Sequence, residues 1–335
     1  MATYKGIKGV KVVTKTSDPS APTALGTVWY NSTSPAALKY AIQGGGAWAA
    51  GNSANVARFS PGETGSTGTQ TTALIFGGDL MPTEPRMTNV TEEYDGTSWI
   101  VKATMNTARG GLAGGGTSTA ALAFSGSGQP PGFANLSATE SYDGSTWTTV
   151  NSLQVAKFGA GGAGSGSGII CFGGANSPTN QLNTTEKWDG TCWTEVADMS
   201  TPKNQFCGFG TNSSAFCAGQ GGPPPTTNET ETWDGTSWSE ATNMSQARSN
   251  GGGGGNVSAA IIFGGSDGPL LAATEVWDGT SWTEGNPLAT ARNNMGYAGS
   301  STANIAVGGY DNPGVAGSTE IWDDPVIAIK TVTVS

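Results

Sequence analysis

Two sets of ionisable side chains recur along this sequence at near-constant spacing. Glu92, Glu140, Glu186, Glu231, Glu275 and Glu320 each follow a threonine, and Arg58, Arg109, Lys157, Lys203, Arg248 and Arg292 each lie ten residues beyond a tryptophan. Carboxylates and cations are the raw material of acid–base catalysis and of anion binding. A glycosidase, however, needs two carboxylates in different environments, and six equivalent ones are the wrong distribution. Buried charge requires a partner, so the expected role of the Glu set is a structural pairing with the basic set and with backbone N–H groups. The other reading of the basic set is a central channel lined to hold an anion.

Other chemistry is scarce. There is no histidine in 335 residues, which removes Ser-His-Asp and Cys-His catalysis and most catalytic zinc sites. Cys171, Cys192, Cys207 and Cys217 form no CxxC; buried thiols are expected, with one Cys207–Cys217 bridge across a hairpin as the alternative. The string GAGSGSG (162–168) leads into a strand rather than opening a helix, so it is not read as a phosphate loop. The sequons at Asn89, Asn135, Asn183 and Asn228 read as products of a Ser/Thr/Asn-rich composition. No catalytic, metal or cofactor-binding residue is assigned.

The elements that position these residues repeat with them. TEEYDGTSW, TESYDGSTW, TEKWDGTCW, TETWDGTSW and TEVWDGTSW recur with their Asp residues 44 to 48 apart, and a sixth copy is shortened to TEIWDD. Each unit predicts four short strands: TExW, then Trp after an Asp-Gly turn, then a Gly-rich strand, then an apolar strand such as ALIFGG or AIIFGG. Such a period marks propeller blades. The tryptophans Trp99, Trp147, Trp193, Trp238 and Trp282 fill the gaps between sheets, and the missing sixth is assigned to Trp48, ten residues before Arg58. The expected architecture is all-β. It is a six-bladed propeller over 37–323, its last blade closed by a strand at about 38–48, with an N-terminal β arm (1–36) and a C-terminal strand (324–335).

Bulk composition agrees: 53 Gly, 12% charged residues and 11 Trp suit a turn-rich all-β chain. A net charge of −10 argues against nucleic acid, and no apolar run is long enough to insert in a membrane. The start, MATYKGIKGVKVVTKTS, has no apolar core, so no signal peptide is expected and synthesis is placed in the cytoplasm.

The pattern resembles the kelch repeat of kelch proteins and the central domain of galactose oxidase, through the Gly pairs (Gly77-Gly78, Gly173-Gly174, Gly264-Gly265, Gly308-Gly309), the Tyr/Trp-Asp pair, the later Trp and the basic residue. The resemblance implies fold and not activity; galactose-oxidase copper chemistry implies histidine ligands, which are lacking. The stretch GTVWYNSTSPAALKYAIQGGGAW also resembles a short element of bacteriophage tail-fibre and other virion appendage proteins, of marine and cyanophage type.

The segments between FGG and TE vary most, and varied loops on a regular scaffold are where recognition resides. They carry Pro82, Arg86, Gln129, Phe133, Asn180, Gln181, Pro224, Asp267, Leu270, Tyr310 and Asp311. The leading expectation is a non-enzymatic phage virion protein, a tail fibre or decoration. It docks on other virion proteins through the N-terminal arm and displays the propeller to a host-surface glycan or protein; homo-oligomerisation is compatible with this. The rivals are a cytoplasmic kelch-type adaptor and a carbohydrate-active enzyme using loop carboxylates such as Glu84 or Asp267.

Overall fold

The computed structural model describes residues 13–16, 28–33, 37–42, 45–63, 68–178, 180–221, 226–324 and 328–331. Every element among them is a β-strand, and the chain forms two compact units, Met1–Gly46 with Asp324–Ser335, and Ala47–Asp323.

Among the described residues the larger unit holds six four-stranded sheets whose neighbouring strands run antiparallel, five of them meanders. In each, the first strand is Gly-rich (Gly161–Ser165, for example), the second is apolar on both faces (Gly168–Phe172), the third is the TE strand (Thr185–Trp188) and the fourth carries a Trp at its first or second residue (Trp193–Glu195). The second strands lie between neighbouring sheets, so both their faces are buried and they read as continuous apolar runs. The six first strands touch one another in cyclic order, the last (Gly296–Gly299) meeting the first (Gly62–Glu63). Glycine dominates them because the strands crowd together. A Cβ on Gly162 would lie 2.1 Å from the carbonyl oxygen of Gly114 on the neighbouring sheet.

Tryptophan joins each sheet to the one before it. Phe76 meets Trp147 at 5.0 Å between ring centroids, Phe124 meets Trp193 at 4.9 Å, and Phe172 meets Trp238 at 4.8 Å. The indole N–H of Trp147, Trp193 and Trp238 donates to the Thr91, Thr139 and Thr185 hydroxyls of the preceding TE strand. Trp99 does the same to Thr319, joining the first sheet to the last. Trp282 departs from the pattern and donates to the Thr242 carbonyl.

The last sheet takes its outer strand from the other end of the chain. Ala47–Gly51 pairs with Thr319–Asp323, Trp48 facing Trp322, and Trp48 packs on Phe263 at 4.6 Å and donates to Thr274. This corrects two boundaries. The closing strand is Ala47–Gly51 rather than 38–48, and residues 37–46 belong to the smaller unit. There Ala37–Ile42 pairs antiparallel with Val28–Asn31 and with Ala328–Thr331, and Val13–Lys15 adds in parallel to Val28–Asn31. Trp29 and Leu38 are buried in that unit. The WYN…LKY…GAW stretch thus serves both units. Cys207 faces Ala218, and Cys217 faces Gly208, so the two cysteines are not opposite one another and form no disulfide.

Gly96, Gly144, Gly190, Gly235 and Gly279 take φ of 91° to 101°, and the preceding Asp accepts backbone N–H bonds from the residues two and three ahead, as Asp278 does from Thr280 and Ser281. Those bonds favour the carboxylate and pull Asp234 and Asp278 down to about 2. A depressed folded-state value means that the stabilisation is present above the unfolded value near 4 and is lost as pH falls through about 2. Stability measured by chemical unfolding is therefore expected to decline between about pH 4 and pH 2, and Asp278→Asn to make that decline shallower. Separately, Trp48→Ala should lower stability by about 3 kcal/mol in urea unfolding, because it removes ring contacts and a hydrogen bond at the closing strand; an unchanged midpoint would show that closure does not depend on it.

Candidate functional site

The two repeated ionic sets meet. Arg58–Glu92 (2.5 Å), Arg109–Glu140 (2.9 Å), Lys157–Glu186 (3.2 Å), Lys203–Glu231 (3.6 Å), Arg248–Glu275 (2.7 Å) and Arg292–Glu320 are ion pairs whose side chains are at most 5% exposed. Each arginine also spans two carbonyls: Arg58 Nη1 donates to Gly77 and Val90, and Arg248 Nη1 to Gly264 and Ala273. The carboxylate accepts backbone N–H groups from the segment leading to the basic residue, as Glu92 does from Asn55 and Val56. Burial pulls the Arg58 and Arg109 pKa values down, and the partner carboxylates oppose it. With every member buried and paired, the basic set does not line a channel.

Two residues beyond each cation the chain makes a second ring. Ser60, Gly111, Gly159, Gln205, Asn250 and Asn294 all have φ between 49° and 61°. Each donates its N–H to the carbonyl of its counterpart one sheet back: Gly111 to Ser60, Gly159 to Gly111, Gln205 to Gly159, Asn250 to Gln205, Asn294 to Asn250, and Ser60 to Asn294, at 2.7 to 3.1 Å. The circle is closed by hydrogen bonds. It surrounds a cup of about 80 Å³ whose lining includes Leu112, Phe206, Met295 and Tyr297. Tyr297 reaches across from the last sheet and donates to the Gly208 carbonyl of the fourth.

The variable loops start beside this ring. The residue before each ring position bridges to the residue after each Gly pair, as in Phe59 with Asp79, Phe158 with Ala175 and Asn293 with Tyr310. Neighbouring loops are stitched together. Gln129 exchanges two hydrogen bonds with the backbone of Met87, Asn135 donates to the Asn176 carbonyl, and Gln181 bonds both the Gly221 carbonyl and the Gln220 amide. Arg86 is held by Asp79 and stands 5.1 Å over the ring of Phe133, which is 39% exposed. Asn180 bonds Asn176 within its own loop. Leu270 bridges to Ser266 and Asp267 closes a turn with Pro269, while Tyr310 bridges to Val315 and Asp311 closes on Gly314. Pro82 is exposed in the first loop, and Pro224 lies outside the described residues. Glu84 and Asp267 are both exposed and belong to the first and fifth sheets, which are not neighbours.

No family model matches the chain, and no curated protein does. Among solved structures, one titled "Structure of YjhT" superposes with a TM-score of 0.68 over 83% of this chain and 99% of that one, at 12% identity. The fold is a β-propeller. That identity speaks for fold alone.

Sequence reasoning missed the axial ring of the propeller. Its only local trace is a residue tolerant of positive φ, Gly or Asn, at four of the six positions. It also misread the sequon asparagines. Asn89, Asn183 and Asn228 donate to the Met105, Met199 and Met244 carbonyls, clamping the loop before each cation. The thiol of Cys171 is pushed up to about 12 by burial, which makes it a packing group and not a nucleophile.

Lys203 differs from the arginines. Its ammonium bonds Glu229 instead of the two carbonyls that an arginine spans, and a cavity of about 130 Å³ lies beside it. Lys203→Arg should donate to the Gly219 and Glu229 carbonyls and raise stability by roughly 1 kcal/mol, read as a higher urea midpoint at an unchanged slope.

Proposed function

We propose that the protein is a non-enzymatic recognition module, a six-bladed kelch-type propeller serving as a phage virion appendage or decoration. In this reading the smaller unit attaches to other virion proteins, and the propeller presents its loop face to a glycan or protein of the host surface. The observation that carries it is the cross-linking of the variable loops. Gln129, Asn135 and Gln181 each bond the neighbouring loop, so a composite face is ordered before any partner arrives, which lowers the entropy cost of binding.

Two further observations support the reading. The six sheets in cyclic contact, with Ala47–Gly51 completing the last, supply a rigid scaffold. The repeated carboxylates are engaged in structural pairs. Copies arrayed by particle symmetry would turn weak contacts into avidity.

The expected result is detection of the chain by mass spectrometry in purified particles, together with binding of the recombinant propeller to host cells. Gln129→Ala with Phe133→Ala should reduce that binding at least tenfold while leaving the melting temperature within a few degrees. A chain found only as free protein in the infected or expressing cell would sink the virion reading and favour an intracellular adaptor.

A further inference from the structure

The cup at the centre of the ring is asymmetric. Gly111 and Gly159 occupy one arc, and a Cβ on Gly111 would meet nothing within 4 Å. The other arc carries Gln205, Asn250, Asn294 and Ser60. Ser60 donates its hydroxyl to Asn294 Oδ1 at 3.0 Å, whereas the side-chain amides of Gln205 and Asn250 have no hydrogen-bond partner among the described residues. All six positions require a left-handed backbone, which glycine adopts freely and which costs other residues of order 1 kcal/mol or more. Gln205 keeps a side chain where glycine would serve the backbone better, and no hydrogen bond of the ring uses its amide.

We propose that this cup is a binding site for a neutral polyhydroxylated ligand, a single uncharged sugar residue. It deepens the surface-recognition reading above and rests on it for its biological setting. No ionisable carboxylate or basic side chain lines the cup, and the cations two residues behind the ring are already neutralised by their glutamates. An ionic ligand would find no counter-charge. Primary amides both donate and accept, as sugar hydroxyls do. Phe206, Tyr297, Met295 and Leu112, in the lining of the cup, offer apolar surface for a C–H face of the ring. The backbone carrying the amides is locked in the closed circle of N–H to C=O bonds, so a ligand has only their side-chain torsions to order.

The test uses the full chain titrated calorimetrically with neutral methyl hexosides and N-acetylglucosamine, with methyl glucuronide and an uncharged tetrapeptide as comparators. Gln205→Gly with Asn250→Gly removes the amides yet suits the left-handed backbone, and Gly111→Asn fills the open arc. The expected result is binding of at least one neutral sugar, weakened at least tenfold by either variant, with the melting temperature of the double glycine variant unchanged or higher. The proposal is overturned by a panel that gives no neutral-sugar binding, by a preference for the glucuronide or the peptide, or by sugar binding that survives both variants. Host-cell binding retained in the double variant would remove the cup and leave the loop face standing. Absence from particles would remove the virion role and leave sugar binding to be judged by the calorimetry alone.

Discussion

A cation held dry against one carboxylate, and in the four arginines also between two carbonyls, is the contact on which the propeller depends. It binds three pieces of chain that are remote in sequence: the TE strand bearing the glutamate, the segment bearing the cation, and the carbonyls after the apolar strand. Arg248 with Glu275, Gly264 and Ala273 is representative. The desolvation of two charges offsets much of their attraction, so such a pair is a poor source of net stability. What it enforces is register. A strand shifted by one residue would turn its glutamate to the other face and leave a buried guanidinium alone, at a cost of several kcal/mol.

The same contact sets up the centre of the molecule. Because the cation is anchored, the chain two residues later arrives at a defined height and turns left-handed. Six such arrivals place every N–H against the carbonyl of its neighbour. The ring then leaves its side chains as the variable part, in the way that the loops beyond it vary. Ordered backbone and free side chains are what a recognition surface needs, since the ordering cost has been met in folding.

The repeat, the all-β class and the role of Trp48 were legible because each is written locally and more than once. TEVWDGTSW names a strand, a turn and the next strand within nine residues. The boundary at Gly46 was not legible: Ala37–Ile42 has the apolar alternation of any strand, and only its pairing with Ala328–Thr331 shows where it belongs. Asn89 was misread for a similar reason. A sequon and a loop clamp use the same residue type, and the carbonyl of Met105 that distinguishes them lies sixteen residues away.

By itself the sequence determined which segments become strands, how many units share the pattern, and which residue types carry charge into the interior, since hydrophobic period and turn chemistry act over a few neighbours. Closure of the circle decided the rest. The hydrogen bonds from Gly111 to Ser60 and from Ser60 to Asn294 join residues that no local pattern relates. The cup and its free amides exist only once the last sheet has met the first, and the stitched loops once neighbouring sheets have packed, because their geometry is set by contacts between sheets and not along the chain.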